Sequence, residues 1–509
     1  MRPSPFTSPS FHLSPPLAWL LSLLIVLILS PISKSDGPSI SDDTIHVVLQ
    51  GDHADPTIVR DGDTFYLTYS SYTKYPGLKI WESTNLVDWK PIAYALHEDV
   101  GSVWAPEFIK HDDLFYIYFP TSEGKNYVTT AKTPQGPWSK PVELEVSGID
   151  PGHISDPEGN RSIYLNGGKY ALLSQDGLSV TKDAVNKYPG WKYPEEWEVE
   201  CFCLESPKLI FKDSYYYLTS AQGGTAGPAT SHMVVSARSL SPEGPWEESP
   251  HNPIVHTYSS EETLWSKGHG TVFDDADGNW YLIYHAYQKG ALPFGRHILV
   301  EAVEWTKDGW YKTKRNPRRE SKIVYHNNER IQSDDFDGPD LDLQWQLTGV
   351  DESSDAYSFT KDGLRLRGHS ERLRTLQVNP DEKNFEAIAE LEVEGDNTEA
   401  GLVIYYNDAH YTGGGVRGNV FHRVVHGNGR ADNAIDVASM RYLKIRVRDL
   451  TLSLFFSADG ESWKKYDRSY ELSGYHHNAL GGFHYLRPAI YIKGPGSVTV
   501  KSFQYQALR

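Results

Sequence analysis

Residues 65–71 read FYLTYSS, and close variants of this aromatic stretch return four times: FYIYF at 115–119, SIYLNGG at 162–168, YYYLTSA at 215–221 and WYLIYHAY at 280–287. Each copy follows a turn rich in Asp, Gly or Asn, namely RDGDT, KHDDL, DPEGNR, KDS and DDADGN. Between the central tyrosines Tyr66, Tyr116, Tyr164, Tyr216 and Tyr281 the steps are 50, 48, 52 and 65 residues. Short aromatic strands spaced at roughly forty to fifty residues are the signature of a propeller built from four-stranded blades. The fold class expected is therefore all-β, with a five-bladed β-propeller over residues 36–320. A β-sandwich has no reason to repeat at blade length, and helical periodicity is almost absent between 40 and 320. The longer last step predicts an inserted loop near residues 250–262 (PHNPIVHTYSSEE), on the face that shapes a binding mouth.

Outward from the repeat, the texture changes near Asp334. LRLRG, EAIAELEVE, GLVIYY and LKIRVRDLTLSLFF alternate apolar and polar residues, the pattern of an antiparallel sandwich with one solvated face, here expected over 334–509. The polar segment 314–320 (KRNPRRE) is the linker candidate. At the other end, Arg2, the apolar run 17–29 (LAWLLSLLIVLIL) and the small residues up to Ser35 have the grammar of a secretory signal over 1–35. Retention as an uncleaved membrane anchor stays open, since no Ala-x-Ala site is present. Secretion to the extracellular space is the expectation, with no membrane partner unless that segment persists.

The chain holds 49 Lys and Arg against 67 Asp and Glu, a net charge of −18, which repels nucleic acid and suits a neutral partner such as a saccharide. Its two cysteines, Cys201 and Cys203, stand two residues apart, poor spacing for a bridge along a strand, so buried free thiols are expected. Asn160-Arg161-Ser162 is a glycosylation sequon in a loop context.

In a propeller the innermost strands face the axis, and the loops leading to the repeated strands meet at one end. Those loops carry HADPTIV (Asp55), WAPEFI (Trp104, Glu107), GIDPGHI (Asp150), LESPKLI (Glu205) and KGHGTVF (His269). One acid before a proline reads as a turn cap. Carboxylates recurring at equivalent places in several blades repel one another, and a protonated acid held beside an ionised one is what glycosidic cleavage requires.

These motifs, over roughly residues 50–310, resemble those of glycoside hydrolase family 43, whose members include β-xylosidases, α-L-arabinofuranosidases and exo-galactanases. The resemblance implies an inverting, exo-acting hydrolase of terminal pentoses, with Asp55 as general base, Glu205 as general acid and Asp150 tuning and orienting the acid. It implies that Arg296 in FGRHILVEAVEW contacts the sugar and the third-blade Asp150, keeping that carboxyl ionised. Trp104 is expected to stack on the sugar, with Tyr287, Phe294 and Trp265 as further candidates and Glu107 as a supporting or substrate contact. His269 matches an axial histidine; a purely structural role remains equally open. No cofactor is implied, only a structural calcium near His269 reached through water. The family commonly has Gly where this chain has Ser206, and the turn after GIDP reads HISDPEG, so subsite shape is not carried over. Retaining sucrose-splitting propellers open on Asn-Asp-Pro, unlike His53-Ala54-Asp55-Pro56 here. The C-terminal half is similar to the concanavalin-like sandwich of some β-xylosidases, where it helps close the pocket; a carbohydrate-binding module is the rival reading. A non-catalytic sugar-binding propeller would be expected to have lost one of the three carboxylates.

Overall fold

The computed structural model describes residues 39–316, 322–326, 328, 332–350, 355–432, 435, 437 and 440–508. The leader 1–35 and most of the 314–320 linker lie outside the described residues.

Four blades are consecutive antiparallel sheets, opening with the strands Thr57–Asp61, Glu107–His111, Gly152–Ser155 and Glu205–Lys212. The fifth runs Leu264–Asp274, Trp280–Gln288, Arg296–Trp305 and is completed by Thr44–Leu49 from the start of the described chain, with His46 opposite Val300. That strand staples the ring: Val48 and Leu49 pack with Ile298 and Val300 of the last blade and with Ile58, Phe65 and Leu67 of the first. Closing the circle this way leaves few unpaired strand edges.

The five opening strands contact one another around the axis. The repeated aromatic strand is thus the second of each blade, not the innermost. Its side chains, such as Tyr118, Tyr164, Tyr217 and Tyr284, are buried between blades. The innermost strand is the one that opens on each acid-bearing motif, which places those motifs at the axis more directly than the repeat implied. The insertion after residue 250 adds the two-residue strand Val255–His256 to the fourth blade, where His256 stacks on Trp197 at 4.5 Å.

Residues 333–508 form two seven-stranded antiparallel sheets packed face to face. Their shared core holds Trp345, Leu364, Leu366, Phe385, Ile445 and Phe503, all buried. Two propeller residues, Ala291 and Phe294, insert into it. Phe294 lies 6.2 Å from Phe385, so it belongs to the domain joint and is not a sugar platform. The joint is also ionic: Asp52 of the propeller accepts from Lys74 (3.2 Å) and from Arg487 of the sandwich (2.8 Å), all three buried. Lys74 and Arg487 hold the Asp52 carboxyl below the usual range against the opposing effect of burial.

Cys201 and Cys203 are disulfide-bonded, with Cα atoms 5.2 Å apart, and are half-buried, contrary to the expected free thiols. The segment is not a strand, and Cys203 takes a left-handed φ of 34°, which folds the chain enough for the bridge.

Candidate active site

Just before the opening strands or within them, the backbone is turned the same way repeatedly. Asp55 (φ 62°), Asp150 (φ 57°), Ser206 (φ 52°) and His269 (φ 56°) all occupy the left-handed region. Non-glycine residues hold that conformation at a cost of about 1–3 kcal/mol, and such strain gathers where side-chain direction matters. Here it brings residues of four blades to one place.

Asp55 is enclosed by donors. Its Oδ1 accepts from Arg296 Nη1 at 2.9 Å and its Oδ2 from Ser70 Oγ at 2.5 Å, with Tyr72 OH at 3.5 Å. Its backbone N–H donates to His285 Nδ1 at 3.0 Å, and His269 Nδ1 stands 3.5 Å from Oδ1. Arg296 also donates to Tyr72 OH at 2.5 Å. The arginine therefore serves the first-blade Asp55 and not the third-blade Asp150, because its strand lies next to the one that staples blade five to blade one.

Asp150 is buried and accepts from the Ser206 backbone N–H at 3.0 Å, so the loop that carries Glu205 is tied to it. Burial first, and then the Asp55 charge, push its carboxyl up to about 7, with Lys208, the Ser206 N–H and, least, Arg296 opposing. Arg296 therefore acts on Asp150 in the direction the resemblance implied, but burial and Asp55 outweigh it and the carboxyl is raised, not held ionised. Glu205, whose side chain is 21% exposed, is pushed well above the carboxylate range by burial and by the charges of Asp150 and Asp55. Its Oε1 lies 3.9 Å from His232 Nε2.

Glu107 proves to be scaffold rather than a substrate contact. It is buried and accepts from Lys208 Nζ at 2.6 Å and from Thr57 Oγ1 at 3.2 Å, while Lys208 also donates to the Pro106 and Pro151 carbonyls. One ammonium thereby bonds to backbone of two blades and hangs from a third.

Over the carboxylates stands an aromatic cluster. Trp104, Tyr72 and Tyr287 of the propeller meet Phe483 and Tyr485 of the sandwich; Tyr287 OH and Tyr485 OH are 2.9 Å apart, and Trp104 and Phe483 meet edge to face at 6.2 Å. The Arg296 guanidinium lies 5.4 Å from the Phe483 ring. Trp265 joins the rim, with its indole N–H held by the Ser260 and Glu262 carbonyls of the inserted loop.

An arginine-clamped carboxylate, a carboxyl favoured in its protonated form and a covering of aromatic rings can bind a sugar ring and move protons to and from its glycosidic oxygen. The match that decides the ancestry is a family model, Glycosyl hydrolases family 43, over residues 45–311. The chain belongs to glycosyl hydrolase family 43. A second model, Beta xylosidase C-terminal Concanavalin A-like domain, covers 333–505. Among relatives of this family 43 chain are a non-reducing end alpha-L-arabinofuranosidase of Bacteroides ovatus, 29% identical over 72% of this chain and 74% of that protein, and a xylan 1,3-beta-xylosidase of a Vibrio species, 28% identical over 82% and 89%. The xylan beta-1,4-xylosidase structure from Bacillus halodurans superposes with a TM-score of 0.79, 25% identity and coverage of 90% of this chain and 99% of that one. As a family 43 member it is a glycoside hydrolase.

Of the residues expected from sequence, Asp55, Asp150, Arg296 and His269 converge, Glu205 stands beside them through Ser206, and Trp104 is on the rim. Unforeseen were Ser70, Tyr72, His232 and His285 around the carboxylates, and Phe483 and Tyr485 from the sandwich. A calcium ion takes roughly six to eight oxygen ligands. Among the described residues no group of three or more His, Cys, Asp or Glu converges on one ion, and His269 offers a single buried nitrogen. The donor set does not cage calcium, which leaves only contact through water. His422 pairs with Glu399 at 3.2 Å and His426 stacks on Tyr475, which occupies two histidines of the sandwich.

Asp150 carries a testable linkage. Its folded-state value of about 7 exceeds the ordinary 3.8, so the folded chain holds this proton more tightly, and the associated stability is present below pH 4 and lost as pH rises through 7. Asp150→Asn should match the native melting temperature near pH 4 and exceed it near pH 8, although activity falls. A melting difference independent of pH would contradict the raised value.

Proposed function

We propose that this hydrolase is an inverting, exo-acting glycosidase that releases terminal pentose units from plant cell-wall saccharides, with β-xylosides as its substrate and α-L-arabinofuranosides as the second reading. The observation that carries it is the opposite provision for two carboxyls. Asp55 sits among the Arg296, Ser70 and Tyr72 donors, while Glu205 faces two acids and a neutral imidazole. In a single displacement Asp55 takes a proton from the water that attacks the anomeric carbon, and Glu205 gives its proton to the departing oxygen as the bond breaks. Such a pair works at roughly 6.5–9.5 Å, leaving room for the water. Asp150 holds the Glu205 loop through the Ser206 N–H, and once it ionises, as pH rises through about 7, its charge adds to the influences that keep the acid protonated.

Exo action is supported by the sandwich residues Phe483 and Tyr485, which lie across the mouth where a long chain would have to pass. A cavity of about 220 Å³ beside it, bounded by Trp265, Tyr287, Leu292 and His477, suits a short leaving group. The activities for which the relatives are named favour pentosides, and the Bacteroides relative is what keeps the arabinofuranoside reading. Export is supported by the apolar run at 17–29 and by the Cys201–Cys203 disulfide, which persists in oxidising compartments. On a panel of nitrophenyl β-D-xyloside, α-L-arabinofuranoside and β-D-galactoside, the xyloside should give the highest kcat/KM, by about tenfold or more over the galactoside. A lead by the arabinofuranoside would select the second reading, and a lead by the galactoside would sink both.

A further inference from the structure

Three imidazoles stack at the centre of the propeller. His269 lies 5.6 Å from His285, and His285 lies 5.4 Å from His232 with the two rings 15° from parallel. The first two address Asp55; His232 alone of the three faces Glu205, with Nε2 at 3.9 Å from Oε1. It is fully buried, and neither ring nitrogen has a hydrogen-bond partner among the described residues. Its seat is made by a glycine, since a Cβ at Gly268 would lie 1.8 Å from His232 Cδ2. Gly268 has an ordinary backbone, so the ring above it is what demands glycine there. A buried polar group left without a partner is destabilising, so an idle histidine would be a poor filler at this place.

Resting on the reading of Glu205 as the general acid, we propose that His232 is its positioning residue: a bare Nε2 accepts the Glu205 carboxyl proton between turnovers, keeping the acid neutral and aimed until the leaving oxygen takes the proton. Burial, His269 and Arg296 hold the His232 ring down at about 3, so it shares the Glu205 proton without removing it. The other groups acting on Glu205 are Asp150, Asp55 and Glu200, which favour the protonated acid, and Arg296, which opposes it. Without the imidazole acceptor, water and the arginine charge shift the balance toward the ionised form.

The test is the pH profile of kcat/KM on an unactivated disaccharide such as xylobiose, whose leaving group needs the acid, for the native enzyme, His232→Ala, His232→Asn, His232→Gln and Glu205→Gln. The alkaline limb should move down by about one pH unit in the Ala variant and, should that variant fold poorly, in the Asn variant, whose amide oxygen is too short to reach Glu205. In the Gln variant, whose amide oxygen reaches the Nε2 position, it should stay near the native value. Lower rates with an unmoved limb in the Ala and Asn variants would mean a merely structural ring and would overturn the proposal. Glu205→Gln should lack the limb altogether; if it kept the limb, the acid assignment would fall, a failure distinguishable from that of His232.

Discussion

Glu205→Gln should lower kcat/KM on an unactivated disaccharide such as xylobiose by about a thousandfold or more, yet cost a nitrophenyl pentoside only about tenfold. A sugar alkoxide is a poor leaving group and must be protonated as it departs, whereas nitrophenolate leaves without help. Glutamine keeps the shape of the side chain and its place beside Ser206, so packing is little disturbed. The direction of the Glu205 perturbation adds a second readout. Burial and the Asp150 and Asp55 charges hold the acid protonated, so native activity on the disaccharide is present at neutral pH and is lost as pH rises through the raised value. That alkaline limb should vanish in the variant. Equal losses on both substrates would show that Glu205 binds sugar and transfers no proton.

Asp55→Ala should cost about ten-thousandfold on both substrates, because activation of water is needed whatever group leaves. Azide, a nucleophile that needs no deprotonation, should restore part of the rate on the nitrophenyl substrate. The loss has a structural companion. Arg296 is 2% exposed and would be left with a buried, unpaired charge, a situation that costs about 3–5 kcal/mol when one partner of a buried pair is removed. Melting temperatures of the variant must therefore be read beside the kinetics. Full stability with lost activity assigns the effect to chemistry, and a similar loss in Asp55→Asn excludes a simple cavity effect. Retained activity on either substrate would remove Asp55 from the mechanism.

Much of this site was legible because the chain repeats. A period near fifty residues fixes the blades, and equivalent positions in a propeller are brought together by symmetry, so acids before Pro56, Pro151 and Pro207 could be read as neighbours although they lie up to 150 residues apart. What escaped lacks that symmetry. Ser70 is an ordinary member of the aromatic repeat and Tyr72 follows directly after it, and nothing local marks either until the Asp55 backbone turns toward them. His285 stands inside WYLIYHAY, where a histidine between tyrosines reads as core, and His232 follows a loop with no motif at all. Phe483 and Tyr485 come from the other domain, where alternation reports a sheet face and not what a loop touches. The partner of Arg296 was misassigned because it depends on the strand Thr44–Leu49 closing the last blade against the first, a contact that no local pattern encodes. The disulfide was missed for the converse reason: the spacing was judged as strand, and the backbone is irregular, with Cys203 left-handed.

Single displacement between Asp55 and Glu205 has one consequence that no binding role shares, the configuration of the sugar first released. Proton NMR of the native enzyme turning over a β-xyloside, recorded before mutarotation, should show the α-anomer of xylose appearing first and the β-anomer growing only afterwards. Initial accumulation of the β-anomer would mean retention, and would contradict both Asp55 as the base that activates water and Glu205 as the acid of a single displacement.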